Sequence, residues 1–294
     1  MITSFIIKHH RRFRRFWVAT IFLTAGTLIF LWTSNSAPSR LEVDFLDVGQ
    51  GDSILIKAPA GEKILIDGGP DNKVLEELGA HLSWRDKTFD LVILTHPHAD
   101  HLTGLIEVLK RYQVKKIMLT GVAYDDQTYR HFLDLARQQK IPEIIVSGPK
   151  SLDLGDNCYL KILYPFSSLE NTQVKKLNNS SIVSQLIYGR NKFLFMGDTE
   201  VENEKKLLAA NIDLKSDVLK VGHHGSATAS SEEFLQKVSP QLAVIEVGAG
   251  NKFGHPAPST LDRLRQLNIK IWRTDLDKTL EIYASQDKIY YKNP

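Results

Sequence analysis

The stretch Thr95-His96-Pro97-His98-Ala99-Asp100-His101 constrains this chain more than any other. Three imidazoles and a carboxylate fall within six residues. They follow residues 89–94, where five positions of six are apolar. Such a run cannot alternate with solvent and reads as a buried strand. Imidazole nitrogen and carboxylate oxygen are the donors that borderline divalent cations such as Zn²⁺ prefer. A turn after a strand lets neighbouring side chains converge. His96 and His98 can then reach one cation, and Asp100 and His101 a second. The fold must bring this strand end to an edge where other donors meet it.

Three more turns follow the same rule. Phe193-Leu194-Phe195-Met196-Gly197-Asp198-Thr199 ends an apolar strand on a carboxylate placed to bridge two cations. Leu219-Lys220-Val221-Gly222-His223-His224-Gly225-Ser226 offers one imidazole to metal and one to substrate. Gly254-His255-Pro256 adds a loop histidine. Taken singly, these are a helix-capping Gly-Asp turn, a polar surface turn and an ordinary loop. Together, four His/Asp turns in register with strand ends are what a dinuclear site between two sheets requires. Around them the pattern gives strands at 41–47, 53–57, 63–67, 116–119, 159–163, 181–188, 192–196, 217–221 and 242–247. Helices are predicted at 74–82, 103–112, 128–139, 200–210, 232–238 and 259–267. Strand clusters alternating with single helices indicate two packed sheets with helices outside, in one α/β domain over 41–294.

The N-terminus differs. Residues 16–32 carry no charge. As a helix they would extend about 26 Å, slightly less than the roughly 30 Å hydrocarbon core, and residues 33–36 close the gap. Lys8, Arg11, Arg12, Arg14 and Arg15 precede the run, and Trp17 and Trp32 sit near its ends. This is the positive-inside and aromatic-belt pattern. It predicts a basic cytoplasmic tail (1–15), a transmembrane signal anchor (16–34), a linker (35–40) and an extracytoplasmic domain on a single-pass cell-membrane protein. The rival is a cleaved signal peptide, which would leave the domain secreted. Pro38 directly after Ala37 leaves no clean A-x-A cleavage site. The net charge of +3 comes from those five basic residues, leaving −2 on the rest. Overall charge therefore gives no ground for nucleic-acid binding. The lone Cys158 cannot form an internal disulfide and reads as a small buried hydrophobe.

His96-Pro97-His98-Ala99-Asp100-His101 matches the H-x-H-x-D-H signature, and the chain resembles the metallo-β-lactamase superfamily. More narrowly, it resembles the extracellular hydrolase domain of the ComEC competence proteins. The supporting stretches include Asp47-Val48-Gly49-Gln50-Gly51-Asp52, Ile66-Asp67-Gly68-Gly69, Asn178-Asn179-Ser180-Ser181 and Trp272-Arg273-Thr274-Asp275. The resemblance implies a four-layer αββα sandwich with two divalent cations at one sheet edge. It implies that His96, His98, Asp100, His101, Asp198 and one of His223 and His224 are ligands. His223 is the preferred member, because adjacent residues at a strand end face opposite ways. Asp67, Asn179, Ser180 and Ser226 are implied to support the ligands from behind.

Two departures matter. Many superfamily members place a further histidine between the first motif and the bridging aspartate. Here Asn178-Asn179-Ser180 stands in its place, so Zn²⁺ suits the imidazoles while Mn²⁺ suits the oxygen-rich position. ComEC proteins also carry a multi-span channel, and this chain has one expected span. The resemblance implies metal-assisted hydrolysis of a phosphodiester, with DNA the first candidate substrate. Asp100 would orient the attacking water, and His255 or Lys220 would stabilise the developing charge. The alternatives are hydrolysis of a phosphocholine ester, a lactone or a β-lactam, and a non-catalytic partner of a separate DNA-uptake channel.

Overall fold

A computed structural model describes residues 40–291 together with Trp17, Thr20 and Thr24. The expected tail, anchor and linker otherwise lie outside the described residues. Among the described residues, no helix is long and apolar enough to cross a membrane.

The chain opens with an antiparallel meander, β1 (Leu41–Phe45), β2 (Ile54–Lys57) and β3 (Lys63–Ile66). Helix α1 (Lys73–His81) leads to β4 (Thr88–Phe89) and β5 (Leu91–Ile93). Then come α2 (Ala99–Arg111), β6 (Gln113–Val114), β7 (Ile117–Leu119), α3 (Gln127–Gln138) and β8 (Glu143–Ile145). The second half starts with β9 (Lys150–Asp153), β10 (Cys158–Tyr164), β11 (Val183–Tyr188) and β12 (Asn191–Phe195). It continues through α4 (Val201–Ala209), β13 (Val218–Lys220), α5 (Glu232–Val238), β14 (Leu242–Ile245), α6 (Pro258–Gln266) and β15 (Lys270–Arg273). The short α7 (Thr274–Asp277) returns the chain to the first sheet as β16 (Leu280–Ala284) and β17 (Ile289–Tyr291).

One sheet has the order β17-β16-β1-β2-β3-β5-β7-β8, the other β15-β14-β13-β12-β11-β10-β9. Side chains alternate across a strand, and this sorts the core into layers. Phe45, Ile54, Ile66 and Ile93 of the first sheet meet Leu160, Leu186, Phe193 and Phe195 of the second. The opposite faces turn outward. Leu65 and Val92 pack under α1, α2 and α3, while Leu194, Leu219 and Ala243 pack under α4, α5 and α6. This is the αββα layering expected from the strand and helix rhythm. Cys158 is buried between the sheets.

Strands β3, β5 and β7 run parallel, as do β12, β13, β14 and β15. The segments after β3, β5, β12, β13 and β14 carry Asp67, His96–His101, Asp198, His223–His224 and Glu246 in turn. Open α/β sheets place ligands outside the carboxyl ends of their strands, and both sheets obey this at one shared edge.

The structure corrects some boundaries. Helix α2 begins at Ala99, not at residue 103. Asp100 and His101 therefore lie in a first helical turn, not in a free turn. The helix starts early because its backbone is anchored from below. Gly68 N–H donates to His101 O at 2.8 Å, and Gly104 N–H donates to Gly69 O at 3.0 Å. A Cβ on Gly104 would lie 1.8 Å from Gly68 O, so only glycine permits this approach.

Candidate metal centre

Asp67 sits in the left-handed region, φ 57°, directly after β3. The turn aims its carboxylate inward. It accepts from Thr95 N–H at 2.8 Å, from the Thr95 hydroxyl at 2.6 Å and from His101 Nδ1 at 2.8 Å. His224 is held the same way, by Nδ1 donating to Glu246 O at 2.8 Å. A carbonyl only accepts, so Nδ1 carries a proton and Nε2 is the nitrogen left to serve a cation. Fixing the tautomer through the far nitrogen is how proteins orient metal-binding histidines.

The two Nε2 atoms face Asp198. Asp198 Oδ2 lies 3.3 Å from His101 Nε2 and 3.4 Å from His224 Nε2. His224 Nε2 is also 3.3 Å from Asp100 Oδ2. On the other side, His96 Nε2 lies 3.9 Å from Asp198 Oδ2 and 2.9 Å from His98 Nδ1. Donor atoms of Asp52, His101, Asp198 and His224 lie within 4.8 Å of one another, as do those of His96, His98 and Asp198. His101 Nε2, His224 Nε2 and Asp198 Oδ1 are buried with no hydrogen-bond partner. Buried polar atoms are rarely left so. Nitrogen and oxygen donors left orphaned beside one carboxylate fit a divalent cation.

The electrostatics agree. Burial and the charge on His101 push the His96 imidazole well below its usual range, and burial also lowers His98. Both are neutral lone-pair donors at physiological pH. Burial opposes charge on His101 and His224 as well. There the surrounding carboxylates, Asp198 foremost, outweigh it and hold both well above the ordinary range. Conversely, burial opposes ionisation of Asp198, but His224 and His101 hold it well below its usual range. Without a cation, the two imidazoliums neutralise the cluster. A cation must displace those protons, so its affinity falls as pH falls. Calorimetry of Zn²⁺ binding in buffers of differing ionisation enthalpy is expected to show release of about two protons for the pocket holding His101 and His224. Binding without proton release would contradict this charge arrangement.

The sequence-based assignments divide. His96, His98, Asp100, His101, Asp198 and His224 come together. His223 does not join them. Both histidines of the pair are left-handed, φ 47° and 51°, in a 3₁₀ turn. The alternation rule for strands therefore does not apply, and the preference for His223 is corrected in favour of His224. His223 instead lies at the rim, 3.2 Å from Asn178 Nδ2 and 3.4 Å from Glu200 Oε1. Lys220 is also corrected. It is fully buried and pairs with Asp52 and the Gly197 carbonyl, so its ammonium is not available to substrate. His255 is at the rim, its ring 5.2 Å from that of His223. Burial and the neighbouring imidazoles bring it down to about 4.

Asn179 and Ser226 bond within the surrounding loops. Asn179 Oδ1 accepts from Glu200 N–H and Ser226 Oγ contacts Thr228. Ser180 is tied to the Leu177 carbonyl. Asp52, in the sequence only the last residue of the Asp47–Asp52 stretch, has its Oδ1 3.2 Å from His224 Nδ1 and its Oδ2 3.7 Å from His101 Nδ1. It braces both rings from behind. Glu246, pushed well above the carboxylate range by burial and by Asp52, accepts from Ser53 N–H. Nothing in its local sequence marks it.

Residues 46–248 match the metallo-beta-lactamase superfamily. The chain belongs to that superfamily. ComE operon protein 3 of Bacillus subtilis (strain 168) is 30% identical over 281 residues, covering 88% of this chain and 34% of that protein. Competence protein ComA of Neisseria gonorrhoeae is 39% identical over 238 residues, covering 80% of this chain and 31% of that protein. The chain thus spans about a third of the length of these curated relatives. Among solved structures, the metallo-beta-lactamase fold protein YhfI of Bacillus subtilis aligns with TM-score 0.52 at 12% identity, over 86% of this chain and 100% of that one. That likeness shows the metallo-β-lactamase fold alone. The ComEC-like resemblance is confirmed by the relatives, and in this superfamily member the strand ends gather a buried cluster of possible metal ligands.

Proposed function

We propose that the chain is a membrane-anchored, exported phosphodiesterase that holds two divalent cations, Zn²⁺ or Mn²⁺, and cleaves DNA in competence-type uptake. The observation that carries this reading is Asp198, a buried carboxylate common to two groups of possible ligand atoms. The names of the relatives support the link to competence, and the uncharged run at 16–32 behind five basic residues supports the anchor. Asp100, His101, Asp198 and His224 would hold one cation, and His96, His98 and Asp198 the other. Bound there, such ions lower the pKa of water and polarise a phosphoryl oxygen.

The chain's own residues do the rest. Asp100 is half-buried at the mouth. Burial works against its charge, but His101 and the hydrogen bond to His224 hold it below the carboxylate range. It stays an acceptor at any physiological pH and can orient an attacking hydroxyl. His255, neutral at pH 7, can donate a hydrogen bond to a phosphoryl oxygen at the rim. Replacing Asp100 with alanine is expected to lower kcat by about 10²–10⁴-fold with the thermal midpoint unchanged. The test uses full-length protein in detergent, loaded separately with Zn²⁺ and Mn²⁺, on single-stranded DNA, duplex DNA and bis(p-nitrophenyl) phosphate. Wild-type turnover in the variant would remove Asp100 from the mechanism. Small-ester cleavage without DNA cleavage would replace DNA with an envelope phosphodiester.

A further inference from the structure

A further group of possible ligand atoms, on Asp44, His81 and Glu281, shares no residue with the metal centre. Asp44 on β1 and Glu281 on β16 are directly paired across the two strands. His81, the last residue of α1, brings its ring to them. Strand alternation puts Asp44 there: Val43 and Phe45 enter the core between the sheets, so Asp44 turns to the helical face. It is 1% exposed, and neither carboxylate oxygen has a hydrogen-bond partner among the described residues. Buried polar atoms are rarely left so. Lys57 Nζ lies 3.2 Å from Asp44 Oδ2, but it donates to Glu42 Oε2 at 2.8 Å and to the His81 carbonyl at 3.0 Å. Burial, only partly offset by Lys57, pushes the Asp44 carboxyl up to about 6.

The spacing suits an ion better than a proton. His81 Nδ1 lies 3.8 Å from Asp44 Oδ2 and 3.8 Å from Glu281 Oε1, too far for hydrogen bonds. The three donor atoms lie within 4.8 Å of one another, and donors around a tetrahedral zinc are about 3.3 Å apart. Contacts from behind set the ligands. The Tyr283 hydroxyl donates to Glu281 Oε2 at 2.5 Å, which leaves Oε1 to the site. Glu77 Oε2 accepts from Thr279 at 2.6 Å and stands 3.8 Å from His81 Nε2. A carboxylate behind the far nitrogen is the usual support of a metal-binding histidine. The charge also invites a cation. Glu42, Asp44, Glu77 and Glu281 meet only Lys57 and Arg40 among the basic side chains paired with them, besides His81, and the carbonyl end of α1 adds its partial negative charge.

We propose that Asp44, His81 and Glu281 bind one divalent cation of the Zn²⁺ class, with water completing the shell on the exposed side of Glu281. The imidazole and the small number of oxygens favour such a cation over Ca²⁺ or Mg²⁺. The site does not rest on the reading of the metal centre. It fastens α1 to β1 and to β16, and so ties segments from opposite ends of the described chain.

The test counts Zn²⁺ bound at equilibrium dialysis by full-length protein in detergent. Glu281→Gln changes an exposed side chain and spares the core. It is expected to weaken one Zn²⁺ per chain at least about 100-fold, since loss of a supporting residue alone costs about 10–100-fold. In the Asp198→Ala background, which empties the metal centre, about one Zn²⁺ per chain should remain. His81→Ala added to that background should remove it, and Glu77→Gln should keep it with about ten-fold lower affinity. The proposal is overturned if Glu281→Gln and wild type bind the same number of Zn²⁺ ions with the same affinities. It is overturned equally if a folded Asp198→Ala protein binds none.

Discussion

Replacing Asp198 with alanine is expected to abolish hydrolysis and empty both cation positions. Its Oδ2 is 3.3 and 3.4 Å from the Nε2 atoms of His101 and His224 and 3.9 Å from that of His96. Among the described residues it is the one carboxylate that belongs to both groups of possible ligand atoms. Its loss removes a donor from each pocket and also removes the principal anion opposing the two buried imidazoliums. Water beside a bound cation ionises near neutrality rather than near pH 16. A fall of at least about 10³-fold in turnover is therefore expected. Elemental analysis of the purified variant should show its metal content falling with its activity, whereas Asp100→Ala, which takes a donor from one pocket only, should keep the cation beside His96 and His98. Full metal content in the Asp198 variant would refute a shared bridging carboxylate.

The second large effect is on stability. Lys220 and Asp52 are both buried and form an ion pair whose members lie 168 residues apart in the chain. Replacing Lys220 with methionine keeps the aliphatic volume and strands the carboxylate. Breaking a buried pair by removing one partner costs about 3–5 kcal/mol. For a domain of this size that is a fall of about 10 °C in Tm. Adding Asp52→Asn should recover most of the loss, because no unpaired charge is then buried. Thermal and urea unfolding of the three variants decides the matter. A Lys220→Met protein as stable as wild type would show that the pair contributes nothing.

Both effects depend on residues whose legibility in the sequence differed. The turns that carry the candidate ligands were readable because each follows an apolar run that can only be a buried strand, so the polar residue after it must mark the sheet edge. The layering was readable for the same reason. Strands β8 and β9 were missed because their residues are half-buried or exposed at the ends of sheets, which gives no apolar run to detect. The two-residue β4 and β6 are too short to carry a period. The start of α2 was misplaced because it is set by contacts to Gly68 and Gly69, some 30 residues earlier, and not by a local capping residue. His224 was ranked below His223 because a left-handed turn replaces the strand geometry that the ranking assumed. The pairing of Asp52 with Lys220 is a tertiary fact that no local spacing encodes.

The donors come from both halves of the chain. Asp52, His96 and His98 lie in loops of the first sheet and His101 in the helix turn after β5, while Asp198 and His224 lie in segments after strands of the second. A cation held between them is therefore also a clasp, binding sheet to sheet at one rim while the apolar interior joins them elsewhere. A ligand that binds only the folded state adds to its stability with concentration, about 2.7 kcal/mol at a hundred times Kd. The free cation level around the protein would then set how firmly its halves stay shut, and scarcity would loosen the sandwich at the rim where the chemistry takes place.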